Sequence, residues 1–270
     1  MVLDFRSSII RIRQVCRNEH GYVVEVPMPK WVVDRLSEGG DVKYAMIGLK
    51  NNEPYLALTA EREVEPYTPS GYILAVDVNS WRYSIAWGLI RSGKLVTWRS
   101  EGPSTFLINT LYHQAVDRER VVGKLRRVGY GDSMKASRVR EQAKSRKSRI
   151  YRITRDKAYF LAGKLVRKAL KYKALLVIDD MTEESRRSLL EEGLPRNVTK
   201  LLMSNLRRLV HQLEVLAQWY GVPYRFKRLP STICPVCMHR LTQVEGRVMI
   251  CTNCGVKAPR DMVPMYWAMK

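Results

Sequence analysis

The period of the apolar positions changes several times along the chain, and each change marks an element. Residues 1–64 carry short runs rich in β-branched and aromatic residues at Ser8–Val15, Tyr22–Val26, Val42–Leu49 and Pro54–Leu58. Gly21, Gly39-Gly40 and Asn51-Asn52 separate these runs, so they read as strands joined by turns. Trp31–Leu36 fits one or two helical turns, and the whole predicts a small β-barrel. The two prolines of Glu65-Pro66-Tyr67-Thr68-Pro69-Ser70-Gly71 break both periods, which predicts a linker. Tyr72–Asn79 then reads as a buried strand with one acid, Asp77, near its end. Tyr83–Ile90 and Leu95–Arg99, joined by the turn Arg91-Ser92-Gly93-Lys94, extend it into an antiparallel meander.

A helical period returns over Thr105–Val116. The basic stretch that follows leads into a long helix with the apolar stripe Ile150, Ile153, Leu161, Leu165 and Ala169. Ala174–Ile178 is a further buried strand, running into Asp179-Asp180. Asn197 reads as the cap of another helix, with Leu202, Leu206, Leu209, Leu213 and Leu216 on its inner face. Gly221 ends that helix, and Val222–Arg228 forms a last strand.

Three strands, then helix, strand, helix, strand, is the element order of an RNase H-like α/β fold. Its chemistry needs carboxylates at the ends of separate elements, converging on two divalent ions that activate water and neutralise a leaving phosphodiester oxygen. Mg²⁺ suits that role because it prefers hard oxygen ligands and keeps exchangeable waters. Asp77, Asp179 or Asp180, and Asp261 fit the layout. Each acid also has a plainer reading: Asp77 paired with a Lys or Arg, Asp179 and Asp180 capping a helix, Asp261 serving the dipole of a terminal helix.

Composition narrows the partner. The chain of 270 residues is 46% hydrophobic, enough for one large domain or two modest ones. It holds no apolar run of about 18 residues, so no membrane span is expected. A net charge of +21 calls for an anionic partner, most often nucleic acid. Residues 117–173 hold 20 Lys/Arg against 5 Asp/Glu. Lys135, Arg138, Arg140, Lys144, Arg146, Lys147, Arg149, Arg152 and Arg155 recur there at helical spacing, predicting a face that lies along phosphates. Trp81, Trp87 and Trp98 could stack bases, but large aromatics in strands are more often core.

Cys234-Pro-Val-Cys237 and Cys251-Thr-Asn-Cys254, with 13 residues between the pairs, match a structural Zn²⁺ ribbon. Disulfides fit less well: no apolar leader opens the chain and Cys16 would be left over, so a reducing, cytoplasmic setting is expected. His239 lies in the ribbon loop, but four thiolates already complete a tetrahedron.

Together these motifs resemble the TnpB family, the OrfB proteins of insertion sequences, which are related to the type V CRISPR nucleases. Ala75-Val76-Asp77-Val78-Asn79 is similar to the family's first RuvC motif and Val177-Ile178-Asp179-Asp180-Met181 to its second. Leu229-Pro-Ser-Thr-Ile-Cys234-Pro-Val-Cys237 resembles the entry to its ribbon, and Cys251-Thr-Asn-Cys254-Gly255 with Arg260-Asp261 the exit and third motif. The resemblance spans most of residues 40–268. It implies a β-barrel wedge domain over 1–66, a RuvC core over 71–232, a ribbon over 233–256 and a terminal helix over 257–270. It further implies an RNA-guided, transposon-associated, Mg²⁺-dependent DNA endonuclease with Asp77, Asp179 and Asp261 as its catalytic acids. Three departures stand out. Asp179 replaces the family's Glu, Val263-Pro264-Met265 replaces Asn-Ala-Ala, and little chain is left for a recognition lobe. They motivate an alternative reading, a nuclease-weakened relative that binds nucleic acid as a regulator or accessory protein.

Overall fold

A computed structural model describes residues 2–4, 9–14, 22–50, 53–78, 85–180 and 196–270. The chain divides into two units, Met1–Glu65 and Pro66–Lys270. In the first, β1 (Val2–Asp4), β2 (Ile9–Gln14) and β3 (Tyr22–Pro27) form an antiparallel sheet. The short helix α1 (Lys30–Ser37) follows, then the hairpin β4 (Asp41–Lys50) and β5 (Glu53–Glu61). Met28, Val32 and Leu36 are buried against Val42, Leu56, Leu58 and Ala60, so α1 covers one face of the hairpin. The strands expected here are present. Among the described residues they make two separate sheets, and no ladder closes them into the expected barrel.

The second unit is organised around a five-stranded sheet of order β10-β9-β6-β7-β8. β6 (Tyr72–Asp77), β7 (Ile85–Arg91) and β8 (Lys94–Glu101) form the predicted antiparallel meander. β9 (Leu175–Asp179) runs parallel to β6, and β10 (Tyr224–Lys227) parallel to β9. Parallel neighbours need long crossovers, and the helices provide them.

Alternation along β6 sorts the two faces. Leu74, Val76 and Val78 enter a large core with α2 (Thr105–Arg127), α3 (Met134–Tyr172) and α4 (Arg196–Trp219). Ala75 faces the other way, into a smaller core with Ala86, Val177, Met265 and Ala268 under the terminal helix α5 (Val263–Ala268). Trp87 is 3% exposed, as expected of a core aromatic, and its indole N–H donates to Glu101 (3.0 Å), which also accepts from Lys164. Trp81 and Cys16 lie outside the described residues.

One expectation is revised. The helix starting at Thr105 continues to Arg127, and the basic segment is a hairpin of two helices joined at residues 128–133. The seam of this hairpin is narrow. Ala115 and Val122 on α2 and Ala136, Ala143 and Ile150, spaced seven apart on α3, are buried along it, with charged residues interspersed between them. The apolar period therefore disappears under charge until Ile150, where α3 reaches the sheet. The expected linker has neither helix nor strand over residues 65–70, and hydrogen bonds tie it to the core. The Tyr67 hydroxyl donates to the Ala174 carbonyl (2.8 Å), and the Ser70 N–H donates to the Lys173 carbonyl (2.9 Å).

Gly88 sets how closely α5 approaches the sheet. A Cβ there would lie 2.8 Å from the Met265 sulfur and 2.9 Å from Leu95 Cδ1. Gly123, inside α2, has open space around it instead. Gly88→Val should therefore cost about 1–3 kcal/mol by overpacking, whereas Gly123→Ala should gain about 0.5–1 kcal/mol from helix propensity. Urea denaturation of the two variants reads the opposite signs.

Candidate functional site

Asp77 and Asp179 are neighbours because of strand register. The parallel ladder of β6 and β9 runs through Val76 opposite Ile178, so the next residues are the two acids, side by side at the ends of their strands. Each lies two residues beyond a side chain of the smaller core, Ala75 and Val177, which puts both on the α5 face. Asp180, left open as an alternative, alternates to the opposite face and is exposed. Asp179 is thus the acid that accompanies Asp77.

The environment is dry and crowded with negative charge. Asp77 is 5% exposed, and burial raises its pKa well above the usual carboxylate range. Asp179 and then Asp261 add to that rise, while Arg260 and Arg247 oppose it. Asp179 is pushed up to about 6, first by burial; the Leu229 N–H, which donates to its Oδ1 at 2.8 Å, pulls the other way.

The third acid arrives on a different element. Asp261 sits in a single 3₁₀ turn, Arg260–Met262, directly before α5. Pro264 falls in the first turn of α5, where its missing N–H costs nothing. The Arg247 guanidinium grips Asp261 through two contacts, Nη2 to Oδ1 and Nε to Oδ2 (3.3 Å). Arg247 immediately precedes β12 (Val248–Ile250), which pairs antiparallel with β11 (Thr242–Gln243) and β13 (Lys257–Pro259). Its carbonyl accepts from the Arg260 N–H at 2.7 Å. Sequence reasoning missed Arg247, since a lone arginine in a loop carries no signal until the β12–β13 register places it beside Asp261.

The cysteines form two similar turns. The Cys234 N–H donates to the His239 carbonyl and the Cys251 N–H to the Val256 carbonyl, both at 2.8 Å. The residues closing the turns, Met238 and Gly255, are left-handed with φ of 66° and 74°. All four sulfurs lie within 4.8 Å of one another, with Cys234–Cys254 at 3.5 Å and Cys237–Cys251 at 3.4 Å. A tetrahedron with Zn–S bonds near 2.3 Å has edges of about 3.8 Å, so the four thiols fit zinc.

The ribbon is tied to both acids it separates in sequence. Its entry strap holds Asp179 through Leu229, and its exit carries Asp261. Arg260 Nε bonds Ser231 Oγ (3.3 Å) across the two straps, and the Trp267 indole N–H of α5 donates to the Ile233 carbonyl (2.9 Å).

The nine predicted phosphate-binding residues lie on α3 but not on one face. Arg140, Lys144, Lys147 and Arg152 line an open groove of about 850 Å³ along the α2–α3 hairpin. Arg146 instead bonds Gln114 Oε1 (3.1 Å), Lys147 is also paired with Glu119, and Arg155 pairs with Asp156 at 2.8 Å. Lys135, Arg138 and Arg149 are exposed. The charge flanks the seam on both sides because the seam itself needs few positions.

This fold has a solved counterpart. The chain is similar to Cas12f1, seen by cryo-EM in a Cas12f1–sgRNA–target DNA complex, at 13% identity and a TM-score of 0.54. The match covers 97% of this chain and 59% of that one, so the chain spans about three-fifths of its counterpart. The likeness is one of fold, a Cas12-like mixed α/β fold of the RuvC kind. No family model and no curated protein sequence matches the chain. Among the described residues, no helix is long and apolar enough to cross a membrane.

Metal analysis of the purified protein should return one zinc per chain by the four-thiolate stoichiometry. Cys234→Ser with Cys251→Ser should lose it; full zinc retention in the double variant would place the metal elsewhere.

Proposed function

We propose that the protein is a metal-dependent DNA endonuclease of the TnpB type, guided by RNA and associated with a transposon. The observation that carries this reading is the convergence of three acids from three elements on one dry end of the sheet. Two of them are held away from ionisation by burial and, at Asp77, by the other acids. A cluster of buried carboxylates of this kind is well suited to cations. Asp77, Asp179 and Asp261 would hold two Mg²⁺ ions, which would supply the activated water and neutralise the leaving oxygen. The chain's own residues do the positioning. Burial keeps bulk water off the strand ends, the Leu229 N–H fixes one Asp179 oxygen, and Arg247 fixes the Asp261 carboxylate. Guide and target would lie on the basic helical hairpin, whose charge can neutralise many phosphates. The RuvC-like motif order supports the TnpB assignment, and the Cas12-like fold is in keeping with it.

The Arg247–Asp261 pair favours a second reading, a nuclease-weakened relative that binds nucleic acid without cutting it. A guanidinium held on the third acid competes with a metal for the same oxygens, and Asp179 reaches less far than the Glu of the family.

Cleavage of DNA in Mg²⁺ by protein purified with its accompanying RNA separates the two. The nuclease reading expects Asp77→Ala to abolish cutting by at least about 10³-fold; unchanged cutting by that variant would sink it. Binding without cleavage in either Mg²⁺ or Mn²⁺ selects the regulator.

Metal occupancy can be read without activity. A carboxyl whose folded-state pKa exceeds its unfolded value stabilises the fold at low pH and loses that contribution as pH rises through the folded value. For Asp179 the window runs from 3.8 to about 6. The melting temperature should therefore rise more on adding millimolar Mg²⁺ at about pH 8 than at about pH 5. Asp179→Asn should flatten that difference, and an equal rise in the variant would remove Asp179 from the metal site.

A further inference from the structure

The turn joining α2 and α3 presents an exposed aromatic on an unusually well-fixed backbone. Tyr130 is 65% exposed, and its apolar neighbours Val128 and Met134 are 65% and 89% exposed. The Tyr130 N–H donates to the Leu125 carbonyl at 2.8 Å, while its own carbonyl accepts from the Ser133 hydroxyl (2.7 Å) and N–H (3.2 Å). Gly129 takes the left-handed conformation, with φ of 81°, that lets the chain reverse here. Gly131 is needed for contact: a Cβ there would meet Arg126 Cα at 3.3 Å. Arg140 closes the turn from α3, its Nη2 donating to the Gly131 carbonyl at 2.6 Å. Ser133 then caps α3, accepting from the Ala136 N–H at 3.2 Å. The backbone on both sides of Tyr130 is thus committed, while its ring is offered to solvent.

Residues 124–140, which flank this ring in sequence, hold six cations, Lys124, Arg126, Arg127, Lys135, Arg138 and Arg140, against one acid, Asp132. Arg126 and Arg140 also line the α2–α3 groove, so tip and groove form one continuous surface. Resting on the nucleic-acid reading above, we propose that this hairpin is a single-strand-binding element: the groove takes the phosphates of an unpaired stretch, and Tyr130 stacks on a base at its end. Cations along a groove match a phosphate path, and a rigid exposed ring matches the face of an unpaired base, which a duplex keeps hidden. A second copy of this tip would be repelled by the same six cations. A flat anionic membrane could reach the tip but not the groove behind it.

The test is fluorescence anisotropy with the full-length protein, freed of copurified nucleic acid. The probes are a labelled mixed-sequence single strand, the same sequence as a blunt duplex, and phosphatidylserine vesicles. Tyr130→Ala should weaken single-strand binding about tenfold, in the range of one lost base–aromatic stack, and leave the duplex within about twofold. Tyr130→Trp should restore it. Arg126→Ala with Arg140→Ala should weaken both nucleic acids and flatten the salt dependence. A Tyr130→Ala variant that binds the single strand as the wild type does overturns the proposal while leaving the nuclease reading intact. Wild-type protein that binds neither nucleic acid overturns both readings. Vesicle binding lost in Tyr130→Ala, or a change in oligomeric state in that variant, reassigns the tip and also overturns it. Melting temperatures of the two Tyr130 variants should match the wild type, because the ring is not part of the core.

Discussion

Placing carboxylates side by side in a dry pocket costs free energy at every site where it occurs, because desolvation and mutual repulsion act together. Here that arrangement stands at the centre of the second unit. Asp77 and Asp179 end adjacent strands in register, with the smaller core beneath them. Asp77 is held by its pairing with Ala86 of β7 and Asp179 by its pairing with Lys227 of β10, each directly after the Val76–Ile178 pair. The sheet therefore fixes the separation of the two acids before any ligand arrives. What remains adjustable is the third acid, which comes from outside the sheet.

That adjustment is made by the ribbon and α5 together. α5 lies close to the sheet because Ala75, Ala86 and Gly88 offer little side chain beneath it, and Met265 fills the space they leave. The ribbon is anchored at both ends of its sequence to the same corner, through Leu229 at its entry and Arg260 at its exit. Four thiolates on one ion would make the hairpin between those anchors rigid. Arg247 is carried by that hairpin, so its backbone is held beside that of Arg260 and Asp261 by the register of β12 and β13, within reach of its side chain. The ribbon thus acts on the acids by geometry and charge at once, although none of its cysteines touches them.

How much of this was legible in the sequence follows from which interactions are local. The β6–β8 meander, the strand ending in Asp179 and the two CxxC turns each announce themselves within about ten residues, and all were read with small boundary errors. The hairpin of α2 and α3 was not, because its seam consists mostly of alanines at seven-residue spacing, which look like filler amid the charge. The choice between Asp179 and Asp180 required the face of a strand, which only the ladder decides. Arg247 required a register between two very short strands, β12 and β13, and no sequence pattern specifies that. The barrel expected from the first strands marks a different limit: strand patterns give strands, but closure depends on pairing between distant elements, and the ladders among the described residues do not supply it.

The same contrast explains why the acids and the basic hairpin evolved different kinds of surroundings. An acid site must hold a few oxygens to within a fraction of an ångström, so it sits where ladders, a 3₁₀ turn and a bidentate arginine remove freedom. A phosphate path needs charge spread over many positions and tolerates small displacements of each. α3 meets that need with a seam so thin that most of its surface stays available, at the cost of an N-terminal half held to its neighbour by few apolar contacts. Its long-range ties there are polar: Lys147 with Glu119, Arg146 with Gln114, Arg118 with Gln142. Such contacts contribute little stability each and weaken as salt rises. Under the proposed nucleic-acid reading, these are also the contacts that phosphate would replace most readily at Lys147 and Arg146.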